Sequence, residues 1–333
     1  MTSSPKVNLD QAPRTVSLRA HAKLNLALAI DRPISSGERR GYHPIASWMT
    51  PIDLADQLEI TRLEEDRLSR YAIQWHARAP QQAQSIDWSV RDDLAVRAHM
   101  LLEEAVGRTL PVQMKLEKMI PPGAGLGGGS SDAAAMLRAV RELYGLDIAD
   151  AQLRELGAQL GSDVPFFLQG SGVLGPRSAV IEGLGEQVTA CARIDAHFVL
   201  ILPSSLCSTR SVYHRFDEQF DDAEVACSTW NFRDEIVRTM AGGARTEAVD
   251  LFNDLAEPAA RMAPQLAELA ARVEQEVGEK AHVSGSGSAL FVVVGGALGR
   301  DVKVTSRFDA EMVAHRVERA VGEDAAVVIA RGA

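Results

Sequence analysis

Residues 120–137, "IPPGAGLGGGSSDAAAML", decide how the rest of the chain is read. Gly125, Gly127, Gly128 and Gly129 fall within five positions, two serines and an aspartate follow, and an alanine-rich run then has the composition of a helix. The first N–H groups of a helix have no partner inside it, and the aligned peptide dipoles make that end positive. A glycine-rich approach lets backbone come close to an anion and adopt left-handed conformations. The stretch therefore predicts a phosphate-binding loop feeding a helix from about Ser131 to Tyr144. Ser130, Ser131 and Asp132 are its candidate caps and Gly145 its stop. An ordinary tight turn with a good cap is the plainer alternative, but four glycines exceed what a turn requires.

The flanking residues argue against two familiar phosphate-binding folds. No lysine follows the glycines, so the Walker pattern is absent. A G-x-G-x-x-G spacing exists at Gly123, Gly125 and Gly128. The strand before it, however, carries Lys115, Glu117 and Lys118 rather than the apolar run of a buried parallel strand. The acidic residue that should end a second strand is also missing, since Asp147 and Asp150 lie between two helices.

Working outward, "VSLRAHAKLNLAL" (16–28) alternates apolar and polar residues and reads as a strand with one buried face. Lys23 and Asn25 project from its other side, one pleat apart, as a solvated face or as an inward polar pair. Further strands are expected over 56–63, 71–77, 112–120, 197–203 and 325–332, with another after the Gly/Ser loop at 284–288. Helices are expected over 92–107, capped by Asp92 or Asp93 and stopped at Gly107, and over 149–161. Two more are expected over 257–278, interrupted at Pro264, and over 311–321. Strands and helices intermix, which makes the fold class α+β. The polar residues 1–15 read as a flexible arm, with domains over 16–195 and 196–333.

With 333 residues and 46% hydrophobic composition the chain can pack one large or two medium domains. A net charge of −10 argues against a nucleic-acid partner. No apolar run reaches the length of a membrane span, and the first residues lack the apolar core of a secretory signal, so no membrane partner and a cytoplasmic location are expected. Cys191, Cys207 and Cys227 show no metal-site spacing and read as reduced thiols. No H-E-x-x-H pattern or nucleophile elbow is present.

"PPGAGLGGGSSDAAA" resembles the central motif of the GHMP small-molecule kinases, "AHAKLNLAL" (20–28) resembles their first motif, and "SGSGSALF" (284–291) their third. The resemblance implies a two-domain α+β GHMP kinase fold with the active site in the cleft between domains. It implies ATP and magnesium as cofactors, and it places Pro122, Gly123, Gly125, Leu126, Gly127, Gly128, Gly129, Ser130 and Ser131 on the nucleotide, with Ser131 also reaching the metal. "GYH" (41–43), "GSDVPFFLQG" (161–170) and "GLGE" (183–186) are similar to the branch that phosphorylates a cytidine diphosphate-linked sugar alcohol in non-mevalonate isoprenoid synthesis. That resemblance implies direct phosphoryl transfer to a small-molecule hydroxyl, with Asp163 as base and Lys23 as charge stabiliser. It also implies that Asn25 contacts substrate, that Tyr42 and His43 hold the cytosine, and that Tyr213 stacks from the other side; a monomer or weak homodimer is expected.

The residues by themselves leave alternatives. Asp163, two places before Pro165, also fits a helix N-cap, and "GYH" also fits a turn with a surface aromatic. The chain departs from the family at Asp93, where asparagine is usual, and at Arg40, where aspartate is usual. Residues 172–186 and 298–306 look longer than the usual path. A kinase for another small alcohol, such as homoserine or a mevalonate-type acid, would not need Tyr42 and His43. A non-catalytic nucleotide sensor would not need Lys23 and Asp163.

Overall fold

The computed structural model describes residues 14–80, 85–170, 175–204, 207–218, 228–243, 245–299, 302–303 and 305–333. Most of the expected N-terminal arm, and Cys227, lie outside the described residues. The first half of the chain forms β1 (Thr15–Ile30), β2 (Ile45–Arg62), β3 (Arg70–Trp75), α1 (Leu94–Val106), β4 (Val112–Lys118), α2 (Gly128–Tyr144), α3 (Asp150–Leu160), α4 (Val164–Phe167), β5 (Ala179–Gly183) and β6 (Gln187–Ala190). The second half forms β7 (His197–Pro203), α5 (Thr209–Asp217), α6 (Ser228–Ala241), β8 (Thr246–Glu247), β9 (Phe252–Asn253), α7 (Ala256–Met262), α8 (Pro264–Val277), β10 (Ala281–Val283), β11 (Leu290–Val293), β12 (Ala297–Leu298), α9 (Arg307–Val321) and β13 (Ala325–Arg331).

Contacts group these elements into two compact units that interleave along the chain. One holds the chain up to Ala20, Ala55–Met119 and Gly128–Gly175; the other holds His21–Leu54, Ile120–Gly127 and Pro176–Ala333.

In the first unit β4 pairs antiparallel with the end of β2, Gln57 opposite Glu117 through Arg62 opposite Val112, and parallel with β3. The pleat of β4 puts Val112, Met114 and Leu116 inside and Gln113 and Lys115 outside. The same period carries Lys118 to the buried side. The helix α1 starts where the sequence predicts. Asp93 is its cap, accepting from Ala95 N at 2.9 Å, and Gly107 ends it at φ 67°. Fully buried Leu58, Ile60, Leu102, Met136, Leu143 and Phe166 belong to this unit's interior, each contributing about 1.5–3 kcal/mol by burial.

In the second unit β7 is the centre of an antiparallel sheet ordered β10-β11-β7-β13, with Leu290 opposite Ile201 and Val327 opposite Ile201 on the other side. The helices α8 and α9 supply Leu269, Val273, Val277, Ala314, Val317 and Val321 to a core with Val199, Ile201 and Val292. The break expected at Pro264 is present: α7 ends at Met262 and Pro264 opens α8, where its missing N–H costs nothing. The "GLGE" stretch is the turn between β5 and β6, where Leu184 N donates to the Glu186 carboxylate at 2.6 Å.

Two elements correct the sequence-based boundaries. β2 begins at Ile45 rather than near residue 56, because Ile45–Ile52 is buried on both faces and shows no alternation. The helix α9 begins at Arg307 rather than Glu311, under a reciprocal cap: Asp309 N donates to Ser306 Oγ at 3.2 Å and Ser306 N to Asp309 Oδ2 at 2.7 Å.

Candidate active site

In the second unit three segments distant in sequence meet around the glycine loop. Gly123, Gly125 and Gly127 have φ of 68°, 76° and 72°, the left-handed region that favours glycine. Lys23 N of β1 donates to Leu126 O at 2.9 Å, and Ala289 N donates to Ala124 O at 3.0 Å. Ser284 Oγ donates to Gly125 O at 3.1 Å. The approach is so close that a Cβ on Gly125 would stand 2.1 Å from the Ser284 carbonyl oxygen. The 284–289 loop thus clamps the 120–127 loop.

The polar face of β1 is not solvated. Lys23 and Asn25 are 3% and 2% exposed, which settles the choice between a wet face and an inward pair. Lys23 Nζ donates to Asn25 Oδ1 at 2.5 Å, Asn25 Nδ2 to Ser47 Oγ at 2.8 Å, and Ser47 Oγ to Ala27 O at 2.8 Å. A Cβ on Gly285 would come within 3.2 Å of Lys23 Nζ, so the ammonium sits directly under the clamp loop. Ser47 was not singled out from sequence, because nothing local distinguishes it from any other strand serine.

The helix that follows in the chain, α2, belongs to the first unit. It begins at Gly128, so Ser130, Ser131 and Asp132 lie inside its first turns rather than capping it. Glycine's poor helix propensity obscures this start. Its tolerance here is steric, since a Cβ on Gly129 would be 3.2 Å from Leu94 Cδ1. The free N–H groups of this turn belong to Gly128–Ser131, and Ser131 is buried.

Asp132 is an ion-pair partner and not a cap. Lys118 Nζ donates to Asp132 Oδ2 at 2.5 Å and also to Asp56 Oδ2, while Met119 N donates to Asp56 Oδ1 at 2.5 Å. All three side chains are buried. Burial alone would lower the Lys118 pKa, but the two carboxylates outweigh it and hold the ammonium above its usual range. Burial pushes the Asp132 carboxyl well above the usual carboxylate range, Lys118 pulling it back and Asp56 adding to the rise. Asp132 Oδ1 has no hydrogen-bond partner among the described residues. The signal for this cluster was the β4 alternation, which places Lys118 inside.

Asp163 also lies in the first unit. It stands before α4 with Pro165 just inside the helix, but its side chain makes no cap hydrogen bond and its backbone is already helical, at φ −86° and ψ −14°. The capping alternative therefore fails. Two residues earlier, a Cβ on Gly161 would be 3.8 Å from Ser130 Oγ, so the "GSDVP" stretch runs beside the start of α2.

In the second unit Tyr42 is 61% exposed, while His43 is buried. His43 Nδ1 bonds Asp31 O at 2.8 Å, and its Nε2 lies 3.2 Å from Asp217 Oδ1. The His43 ring packs 5.2 Å from that of Tyr213 and 5.8 Å from that of Phe216. His43 and Tyr213 thus come together, with Tyr42 next to them in the chain.

Cys191 and Cys207 are free thiols whose pKa values burial raises. Among the described residues no three His, Cys, Asp or Glu side chains cluster to hold a metal, and no helix is long and apolar enough to cross a membrane.

Residues 93–171 match the GHMP kinases N terminal domain. The chain is 34% identical over 286 residues, 85% of each chain, to 4-diphosphocytidyl-2-C-methyl-D-erythritol kinase of Polynucleobacter asymbioticus. It is 35% identical over 280 residues, 83% of this chain and 84% of the relative, to the protein of that name from Polaromonas naphthalenivorans. A crystal structure of 4-(cytidine 5'-diphospho)-2C-methyl-D-erythritol kinase aligns at TM-score 0.66 with 29% identity, over 96% of this chain and all of the other. Homoserine kinase from Cytophaga hutchinsonii aligns at TM-score 0.62 with 12% identity, over 100% of this chain and 97% of that one, a likeness of fold alone.

Proposed function

From the premise that this chain belongs to the GHMP kinase family, and so is an ATP-dependent small-molecule kinase, we propose that it phosphorylates the 2-hydroxyl of 4-diphosphocytidyl-2-C-methyl-D-erythritol. This step belongs to non-mevalonate isoprenoid synthesis. The relatives' shared name supports the acceptor. The observation that carries the chemistry is the clamp around Gly125, which brings the buried Lys23–Asn25 pair against the glycine loop.

The residues fit a nucleotide triphosphate. Gly123, Gly125 and Gly127 give the loop left-handed backbone that suits a close approach, and the N–H groups of Gly128–Ser131 suit phosphate oxygens. Pro122 and Leu126 shape the same loop. Magnesium would be held chiefly by the phosphates and water, with the Ser131 hydroxyl as the protein's candidate ligand. When bound, that ion would neutralise charge on the phosphate oxygens.

In this reading Asp163 takes the proton from the substrate hydroxyl, whose oxygen attacks the γ-phosphorus as ADP leaves. Lys23, held in place by Asn25 and Ser47, offsets the negative charge on the transferring group. Asn25 contacts substrate. Tyr42 stacks on the cytosine, with His43 and Tyr213 forming the wall behind it.

The test is ADP release with ATP and magnesium across this acceptor, homoserine and mevalonate, with wild type and Asp163→Asn. Turnover confined to the cytidine compound, falling by about 10²–10⁴ in the variant with ATP affinity nearly unchanged, is the expected result. Turnover only on another alcohol would refute the acceptor, and near-normal Asp163→Asn turnover would refute the base.

A further inference from the structure

The helix α2 carries more than the turn that suits phosphate. Two turns beyond Ser131, about 10 Å along the axis, stands Arg138. Its Nη2 donates to Gln169 O, with Gly170 O at 3.5 Å. These carbonyls close the segment 161–170, which contains Asp163. At the opposite end of the segment, a Cβ on Gly161 would be 3.8 Å from Ser130 Oγ. Asp163 therefore lies between a contact with the start of α2 and an anchor two turns further along it, all within the first unit. The helix α3 closes another side, where a Cβ on Gly157 would stand 2.6 Å from Leu168 Cδ1 and 2.9 Å from Val164 Cγ1. Inside the segment Gln169 Nε2 donates to Phe166 O at 2.9 Å, and Val164, Pro165, Phe166 and Phe167 are buried.

The chemistry of the anchor is unusual for a residue that only fills space. Burial pulls the Arg138 pKa down to about 10, Arg141 adding to the fall and Asp150 opposing it. Among the described residues Arg138 forms no ion pair, and the Asp150 carboxylate bonds Arg141 Nη1 at 2.6 Å. A half-buried cation whose partners are neutral carbonyls loses hydration without the return a carboxylate would give. An apolar side chain at this point of α2 would avoid that loss, but it could not donate to the carbonyls that end the Asp163 segment. Placement of that segment matters, because a shift of about 1 Å at a reacting group can slow a reaction by about 10²-fold.

We propose that Arg138 is a positioning residue for phosphoryl transfer: by anchoring Gln169 and Gly170 to α2, it fixes Asp163 relative to the phosphate-binding turn of the same helix. This rests on the reading of Asp163 as the base. The test is a double-variant cycle of single-turnover transfer, with ATP, magnesium and the acceptor that supports turnover, in wild type, Arg138→Met, Asp163→Asn and the two combined. Arg138→Met keeps the apolar length of the side chain and removes its donors. It should slow transfer by about 10–100-fold with ATP affinity unchanged. In the Asp163→Asn background the same substitution should cost less than about twofold, because the group it positions is already gone. Arg138→Lys, which retains a donor, should recover part of the loss, and it carries the same cycle if Arg138→Met does not fold. Transfer within about twofold of wild type, a matching fall in ATP affinity, or an equal loss in the Asp163→Asn background would each overturn the proposal. Near-normal transfer in Asp163→Asn alone would remove the base, and this inference with it, so the two failures are told apart.

Discussion

Gly125→Ala tests the clamp without reference to catalysis. Its Cβ would fall 2.1 Å from the Ser284 carbonyl oxygen and 3.1 Å from Gly287 N, so backbone, not a flexible side chain, must move. Moving the two loops apart by about 1 Å is an overpacking cost of about 1–3 kcal/mol. It also stretches Ser284 Oγ to Gly125 O, now 3.1 Å, and Ala289 N to Ala124 O, now 3.0 Å, each worth about 0.5–1.5 kcal/mol. Holding alanine at φ 76° adds about 1–2 kcal/mol. Gly278→Ala isolates that last term, since Gly278 has φ 80° and nothing within 4 Å of its would-be Cβ. Gly125→Ala should therefore lose about 2–6 kcal/mol more than Gly278→Ala. For a unit near 200 residues that is a melting-temperature gap of about 4–24 °C. The assay is thermal unfolding of both variants by circular dichroism. Equal melting temperatures would show that the loops do not meet as described.

Four further outcomes follow from other parts of the molecule. Burial pushes His282 down to about 4 from 6.5, with Lys280 adding to the shift, so its contribution is complete above pH 6.5 and is lost as pH falls toward 4. The loss approaches about 3 kcal/mol, and His282→Gln should flatten it; parallel decline of urea midpoints in both proteins would refute this. Lys118→Met leaves Asp56 and Asp132 buried without their cation and should cost about 3–5 kcal/mol, partly restored by adding Asp132→Asn. Because burial raises the Asp132 pKa, ionising it costs the folded state more as pH rises, so Asp132→Asn should gain on wild type from pH 4 to 8 in thermal melts. A gap that moves the other way would refute that sign. Tyr42→Ala, at an exposed position, should leave stability within about 0.5 kcal/mol. Its KM for the cytidine substrate should rise by about 5–150-fold, the equivalent of about 1–3 kcal/mol of lost stacking, and an unchanged KM would remove Tyr42 from the site.

What could be read from the sequence divides along a physical line. Periodicity reports which face of an element is apolar, and it served where one face is wet: β4 alternates, α1 has its cap at Asp93 and its stop at Gly107, and the break before Pro264 is where the ring demands it. It is silent where both faces are dry. The first half of β2 is buried throughout and carries Pro51, so nothing in "IASWMTPID" distinguishes it from a loop. The polar side of β1 shows the same limit from the opposite direction, because alternation predicted a second face but not that Lys23 and Asn25 would be sealed under the clamp loop. Propensity misled at the start of α2, where the close approach of Gly129 to Leu94 offsets the entropic cost of glycine in a helix. The candidate site lies where these signals fail together. Its glycines are chosen for what they leave empty and its lysine for being buried among hydrogen bonds, and neither property has a period. Only a pattern of residues shared with a family could point to them, and only the distances from Gly125 to Ser284 and from Lys23 to Asn25 give that pattern a physical reason.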